Sequence, residues 1–165
     1  MLRTIFACVL VEPKSGSANS RSLRAKKFGH DAEVSNPAHG EVPGPWSFGA
    51  LHHVQLAIPP GGEDRCRAFW GSVLGLAELT KPPVLAGRGG CWFRGGGLEV
   101  HLGVEDPFAP ARKAHPGILV SGLDALAARL GAAGVEIRRD GDFPGHRRFY
   151  ADDPFGNRLE FLQPE

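Results

Sequence analysis

Three histidines and one glutamate stand out as residues that could do chemistry together. His53 and His101 lie in the first half of the folded sequence, His115 and Glu160 in the second, and the intervals from 53 to 115 and from 101 to 160 are both about 60 residues. Imidazole nitrogens and a carboxylate suit Fe, Zn, Ni, Co or Mn better than Ca or Mg, whose sites are rich in oxygen. An ion held this way is a Lewis acid that stabilises negative charge developing on substrate oxygens. One histidine on a strand is more often a surface or hydrogen-bonded residue than a ligand, but recurrence at equivalent places of a repeat favours ligands.

The elements that must position these residues repeat as well. LHHVQLAIP (51–59) alternates Val54, Leu56 and Ile58 with His53, Gln55 and Ala57, as a strand with one buried face does. EDRCRAFWGSVLG (63–75) places Phe69, Trp70, Val73 and Leu74 on one helical stripe and ends at a glycine. LAELT, CWFR and LEVHLGV follow as short strands separated by the glycine-dense turns GRGG and GGG. The same order then recurs: a strand from near His115 to Val120, a helix over Leu123–Ala133 closed by Gly134, and strands VEIRR, RRFYADD and NRLEFL. The spacing predicts an α+β domain of two βαβββ modules, spanning 50–104 and 114–163.

Parity along the strands sorts the faces. Leu98, Val100 and Leu102 share one side, so Glu99 and His101 take the other. Ile118 and Val120 face the helix, opposite His115, Gly117 and Leu119. Leu159 and Phe161 point inward, opposite Glu160. In RRFYADD, Phe149 and Ala151 face the helix, which sends Arg148 and Tyr150 to the side of Glu160. His52 has the parity of the buried set and reads as a helix-side or edge residue with a structural role. Gln55 and Glu99, on the face of His53 and His101, read as substrate contacts. Arg148 reads either as a clamp for a substrate carboxylate or phosphate or as the ion-pair partner of Glu99 or Asp152. Of Trp92 and Phe93, one lines the cavity and the other packs under the helix. Asp152 and Asp153 shape the turn before Pro154-Phe155-Gly156.

Composition bounds the partners. The 165 residues include 19 basic and 18 acidic side chains for a formal net charge of +1, so no overall field draws the protein to nucleic acid or an anionic membrane. A small molecule is the expected partner. Three cysteines, Cys8, Cys66 and Cys91, show no metal-finger spacing and predict a reducing compartment, the cytoplasm. The apolar run Ile5–Val11 is short for a signal-peptide core, and no stretch approaches the roughly 20 apolar residues of a membrane span. Residues 1–46 are rich in Ser, Gly, Pro and basic residues and predict a disordered arm ahead of a folded domain over 47–165.

LHHVQLAIP, RAFWGSVLGL, LEVHLGV, KAHPGILVSGLDALAARLGAAG and FYADDPFGNRLEFL together resemble the vicinal oxygen chelate superfamily of glyoxalases, extradiol dioxygenases, and fosfomycin- and bleomycin-resistance proteins. The resemblance covers about residues 50 to 163, and DPFGNRLEF is its most specific part. It implies a U-shaped mixed sheet around a cup that holds a divalent metal, to which substrates with adjacent oxygens bind. It matches His53, His115 and Glu160 to the two-histidine, one-carboxylate ligand set. His101 occupies a position where glyoxalase I carries a glutamate, and reads as a fourth ligand or a mobile base. Tyr150 lies near the acid-base tyrosine of the ring-cleaving dioxygenases. The resemblance further implies a homodimer, and it leaves two classes open: a metal-dependent lyase, isomerase or oxygenase, or a metal-free protein that sequesters a drug-like ligand.

Overall fold

From Val54 onward, the chain folds twice into the same strand, helix, three-strand unit. The computed structural model describes residues 45–111 and 113–165. The chain divides into two units, Met1–Ser47 and Phe48–Glu165, and the fold described here is that of the second. The arm predicted over 1–46 lies, apart from Pro45 and Trp46, outside the described residues.

Strand β1 (Val54–Ile58) leads into helix α1 (Glu63–Cys66), which continues as a π-helical stretch over Arg67–Val73. Strand β2 (Ala77–Leu79), a short helix α2 (Pro83–Ala86), and strands β3 (Cys91–Gly95) and β4 (Leu98–Val104) complete the first module. The second contains β5 (Gly117–Leu119), helix α3 (Leu123–Ala132), β6 (Ile137–Asp140), β7 (His146–Asp152) and β8 (Arg158–Pro164). The sheets are four-stranded, ordered β1-β4-β3-β2 and β5-β8-β7-β6. In each, the first strand runs parallel to the last. A parallel pair needs a crossover, and the helix supplies it.

Two details differ from the sequence reading. The first-strand histidines stand just ahead of their strands: the ladder begins at Val54 opposite Val100 in one module and at Gly117 opposite Glu160 in the other. Pro116 cannot donate to a ladder, which marks the later start of β5. The crossover of module one is also not a plain α-helix. Leu74 N donates to Phe69 O at 2.8 Å, an i to i+5 bond. The wider turn narrows the angle between successive side chains, and the neighbours Phe69 and Trp70 are both buried.

One apolar core joins the modules, built from Ile58, Trp70, Phe93, Val100 and Leu102 on one side and Leu123, Leu130, Phe149, Leu159 and Phe161 on the other. The DPFGN turn fastens them together. Asp153 accepts from the backbone N–H of Phe155 and Asn157, and the Asn157 amide donates to Asp153 Oδ2 and to the carbonyl of Ala57 at the end of β1, both at 2.8 Å. Burial holds the Asp153 carboxyl above its ordinary range. Arg65 lies over the Phe155 ring, and Arg129 at the end of α3 donates to the carbonyls of Ser72 and Val73. Among the described residues, no helix is long and apolar enough to cross a membrane.

Candidate metal and substrate site

Parity predicted which residues share a face, and register shows how. His101 stands opposite Gln55 in the β1–β4 ladder, and Glu160 opposite Gly117 in the β5–β8 ladder. Each of these neighbours lies two residues after a histidine, His53 or His115. The two modules therefore present equivalent pairs, His53 with His101 and His115 with Glu160.

In module one the His53 ring stacks on His101, with centroids 4.0 Å apart, and His101 stacks in turn on Trp92 at 3.9 Å and 5° between planes. Trp92 pairs with His101 across the β3–β4 ladder, while Phe93 enters the core. That resolves which of the two aromatics belongs to the site. His101 Nε2 lies 2.8 Å from Glu99 Oε1, and Arg94 donates from both Nε and Nη2 to Glu99 Oε2. Glu99 is 7% exposed and both its oxygens are engaged by protein. The hydrogen bonds from His101 and Arg94 hold its carboxyl down at about 2. Burial pushes the His101 imidazolium down, against the pull of Glu99, and this favours the neutral ring. His52 is exposed, where parity put it on the buried side, and its Nδ1 lies 2.9 Å from His53 Nδ1.

In module two, His115 Nδ1 donates to the carbonyl of Lys113 at 2.7 Å, and its Nε2 lies 3.3 Å from Glu160 Oε2. The other oxygen of Glu160 accepts from Arg148 Nη1 at 2.7 Å and from the Tyr150 hydroxyl at 3.2 Å. Arg148 also donates to Asp140, and its guanidinium packs against the rings of Phe143 and Tyr150. It pairs with neither Glu99 nor Asp152, the partners considered from sequence: Arg94 takes the first and Arg138 the second. Burial and the neighbouring Glu160 charge raise the Tyr150 phenol, so it is a hydrogen-bond donor at neutral pH.

An open cavity of about 970 Å³ is lined by His53, Gln55 and Glu99 from module one and by His115, Gly117 and Leu119 from module two. His101, Glu160, Arg148 and Tyr150 are not among its lining residues. Among the described residues, no three of His, Cys, Asp or Glu are grouped to hold one ion; the four predicted ligands stand as two pairs. Sequence reasoning missed Arg94, Asp140 and the Lys113 carbonyl as partners of these groups. Arg94 was within reach, because the GGG turn sets it opposite Glu99; Asp140 required the register of the β6–β7 hairpin.

The sequence profile of the Glyoxalase/Bleomycin resistance protein/Dioxygenase superfamily matches residues 50–161. The chain belongs to this superfamily. A protein from Bacillus anthracis assigned to the glyoxalase family is 44% identical, with a TM-score of 0.70 over 72% of this chain and 98% of that one. A lactoylglutathione lyase from Agrobacterium tumefaciens is 22% identical, with a TM-score of 0.55 over 73% and 96%. An antibiotic binding protein, TnmS3 from Streptomyces sp. CB03234, is 22% identical, with a TM-score of 0.56 over 72% and 100%. The last two share the superfamily fold. No curated protein matches. Superfamily members commonly use divalent metals, and three imidazoles and a carboxylate are donor types that transition-metal ions take. With Nδ1 of His115 donating to a carbonyl, Nε2 is the nitrogen that faces the Glu160 carboxylate oxygen 3.3 Å away.

Proposed function

We propose that this superfamily member is a divalent-metal-dependent enzyme acting on a small molecule with vicinal oxygens, as a glyoxalase-like lyase or isomerase or an extradiol-type oxygenase. The observation that carries the reading is the approach of His115 Nε2 to the Glu160 carboxylate, with His53 and His101 stacked on each other at the equivalent place in the other module. His53, His101, His115 and Glu160 would hold Fe, Zn, Ni, Co or Mn. The ion would supply Lewis-acid stabilisation of negative charge on the two substrate oxygens.

The chain's own residues do the rest. The Lys113 carbonyl keeps the proton of His115 on Nδ1. Arg148 and Tyr150 hold Glu160 through one oxygen and leave the other facing His115. Tyr150 Oη is positioned to pass a proton between solvent and Glu160. Gln55 projects from β1 into the cavity and binds substrate, whose apolar part rests on Leu51, Val54, Leu56 and Leu119. Arg148 is already matched by two carboxylates, so its substrate role is to orient Glu160. Glu99 likewise acts through His101.

Because the pairs stand apart, a homodimer that sets His53 and His101 of one copy against His115 and Glu160 of the other would complete the ligand set. The exposed Leu51, ahead of the edge strand β1, and Leu119, in the edge strand β5, suit that contact. We place the protein in the cytoplasm, in keeping with the free thiols of Cys66 and Cys91.

A second reading, a metal-free sequestering protein, draws support from the Arg148–Glu160 ion pair, which neutralises a would-be ligand without an ion, and from the shared fold of the antibiotic binding protein. Metal-reconstituted protein should turn over a hemithioacetal, a catechol or fosfomycin, with Glu160→Gln inactive. Dialysed protein that takes up no ion at micromolar concentration would favour sequestration.

A further inference from the structure

We propose that Glu99 is a positioning residue that locks His101 with its proton on Nε2, so that Nδ1 is the only nitrogen this histidine offers to an ion. The ion in this statement rests on the metal-dependent reading above; the lock on His101 does not.

The geometry leaves the ring little choice. Glu99 Oε1 lies 2.8 Å from His101 Nε2, and a carboxylate only accepts. Its other oxygen is clamped by two donors of Arg94, directly opposite in the β3–β4 ladder, so Glu99 cannot turn away. His101 is sandwiched between the parallel rings of Trp92 and His53, which allows no tilt. A flip of the imidazole would leave a buried carboxylate facing carbon in place of a donor. These contacts also argue against a mobile base at position 101. His115 has the opposite arrangement: Nδ1 donates to the Lys113 carbonyl and Nε2 faces Glu160 Oε2 at 3.3 Å. The modules are thus equivalent in backbone register and inverted in which ring nitrogen each histidine presents. Where glyoxalase I carries a glutamate, this chain has an imidazole backed by a carboxylate two residues earlier on the same face.

Long-range 1H–15N correlation spectra of the full chain, labelled with 15N-histidine and stripped of metal by a chelator, read the tautomer directly. His101 is assigned by signal loss in His101→Gln. In the wild type His101 should be the Nε2–H form and His115 the Nδ1–H form. Glu99→Gln keeps an acceptor oxygen and should keep the His101 tautomer. Glu99→Ala should give a mixture and weaken Co2+ binding by about 10–100-fold, the usual cost of losing an outer-sphere partner. His101 found as Nδ1–H in the wild type or in Glu99→Gln, or a folded Glu99→Ala with unchanged tautomer and Co2+ affinity, would overturn the proposal. If Glu99→Ala does not fold, the wild-type and Glu99→Gln spectra decide it. Wild-type protein that binds no Co2+ would overturn the metal reading and the ion-binding half of this proposal, while the spectra still decide whether Glu99 locks His101.

Discussion

His115 Nε2, two residues ahead of β5, and Glu160 Oε2, on the neighbouring β8, face each other at 3.3 Å. If that gap is where a cation binds, Glu160→Gln should lower Co2+ affinity by more than about 100-fold, because even outer-sphere partners are worth about 10–100-fold. The amide keeps an acceptor for Tyr150 and Arg148, so the loss of fold stability should be about 1 kcal/mol. Calorimetric titration and urea unfolding on one preparation separate the two effects.

The Asn157 side chain spans the modules through the Ala57 carbonyl and also satisfies the buried Asp153. Asn157→Ala should therefore destabilise the domain by about 1–3 kcal/mol, seen as a lower urea midpoint. A midpoint equal to that of the wild type would show that the clasp contributes nothing.

Glu99 titrates abnormally low, at about 2 against an ordinary 4.5. A carboxyl depressed in the folded state stabilises the fold fully above its unfolded value, and that contribution is lost as pH falls from about 4.5 through about 2. Glu99→Gln should flatten this part of the acid limb in a plot of unfolding free energy against pH. An identical acid limb in the variant would refute the assignment.

Gly90 approaches β4 closely. It has φ of +76°, and a Cβ there would lie 2.0 Å from the Leu102 carbonyl oxygen. Left-handed backbone and overpacking together should make Gly90→Ala cost about 3 kcal/mol or more. Thermal unfolding measures it, with the exposed Gly97→Ala as the control expected to change little.

Sedimentation should show a dimer for the wild type. A charge at the edge strand, as in Leu119→Asp, should shift it toward monomer and reduce Co2+ binding in parallel. A monomeric wild type that binds Co2+ at full affinity would exclude a shared site.

Much of this protein was legible in order and parity alone. Alternation separated Val100 and Leu102 from Glu99 and His101, and Phe149 and Ala151 from Arg148 and Tyr150, because a strand sends successive side chains to opposite faces whatever lies beyond it. The 60-residue recurrence revealed two modules because each must bury the same helical stripe against the same sheet. Tertiary structure decided the partners. Trp92 rather than Phe93 joined the site, Arg148 met Asp140 and Glu160, Arg94 took Glu99, and His52 turned out to solvent beside His53. Those outcomes depend on hairpin register and on which sheet edges meet. Both are set by long-range packing, which a local pattern of residue types does not encode.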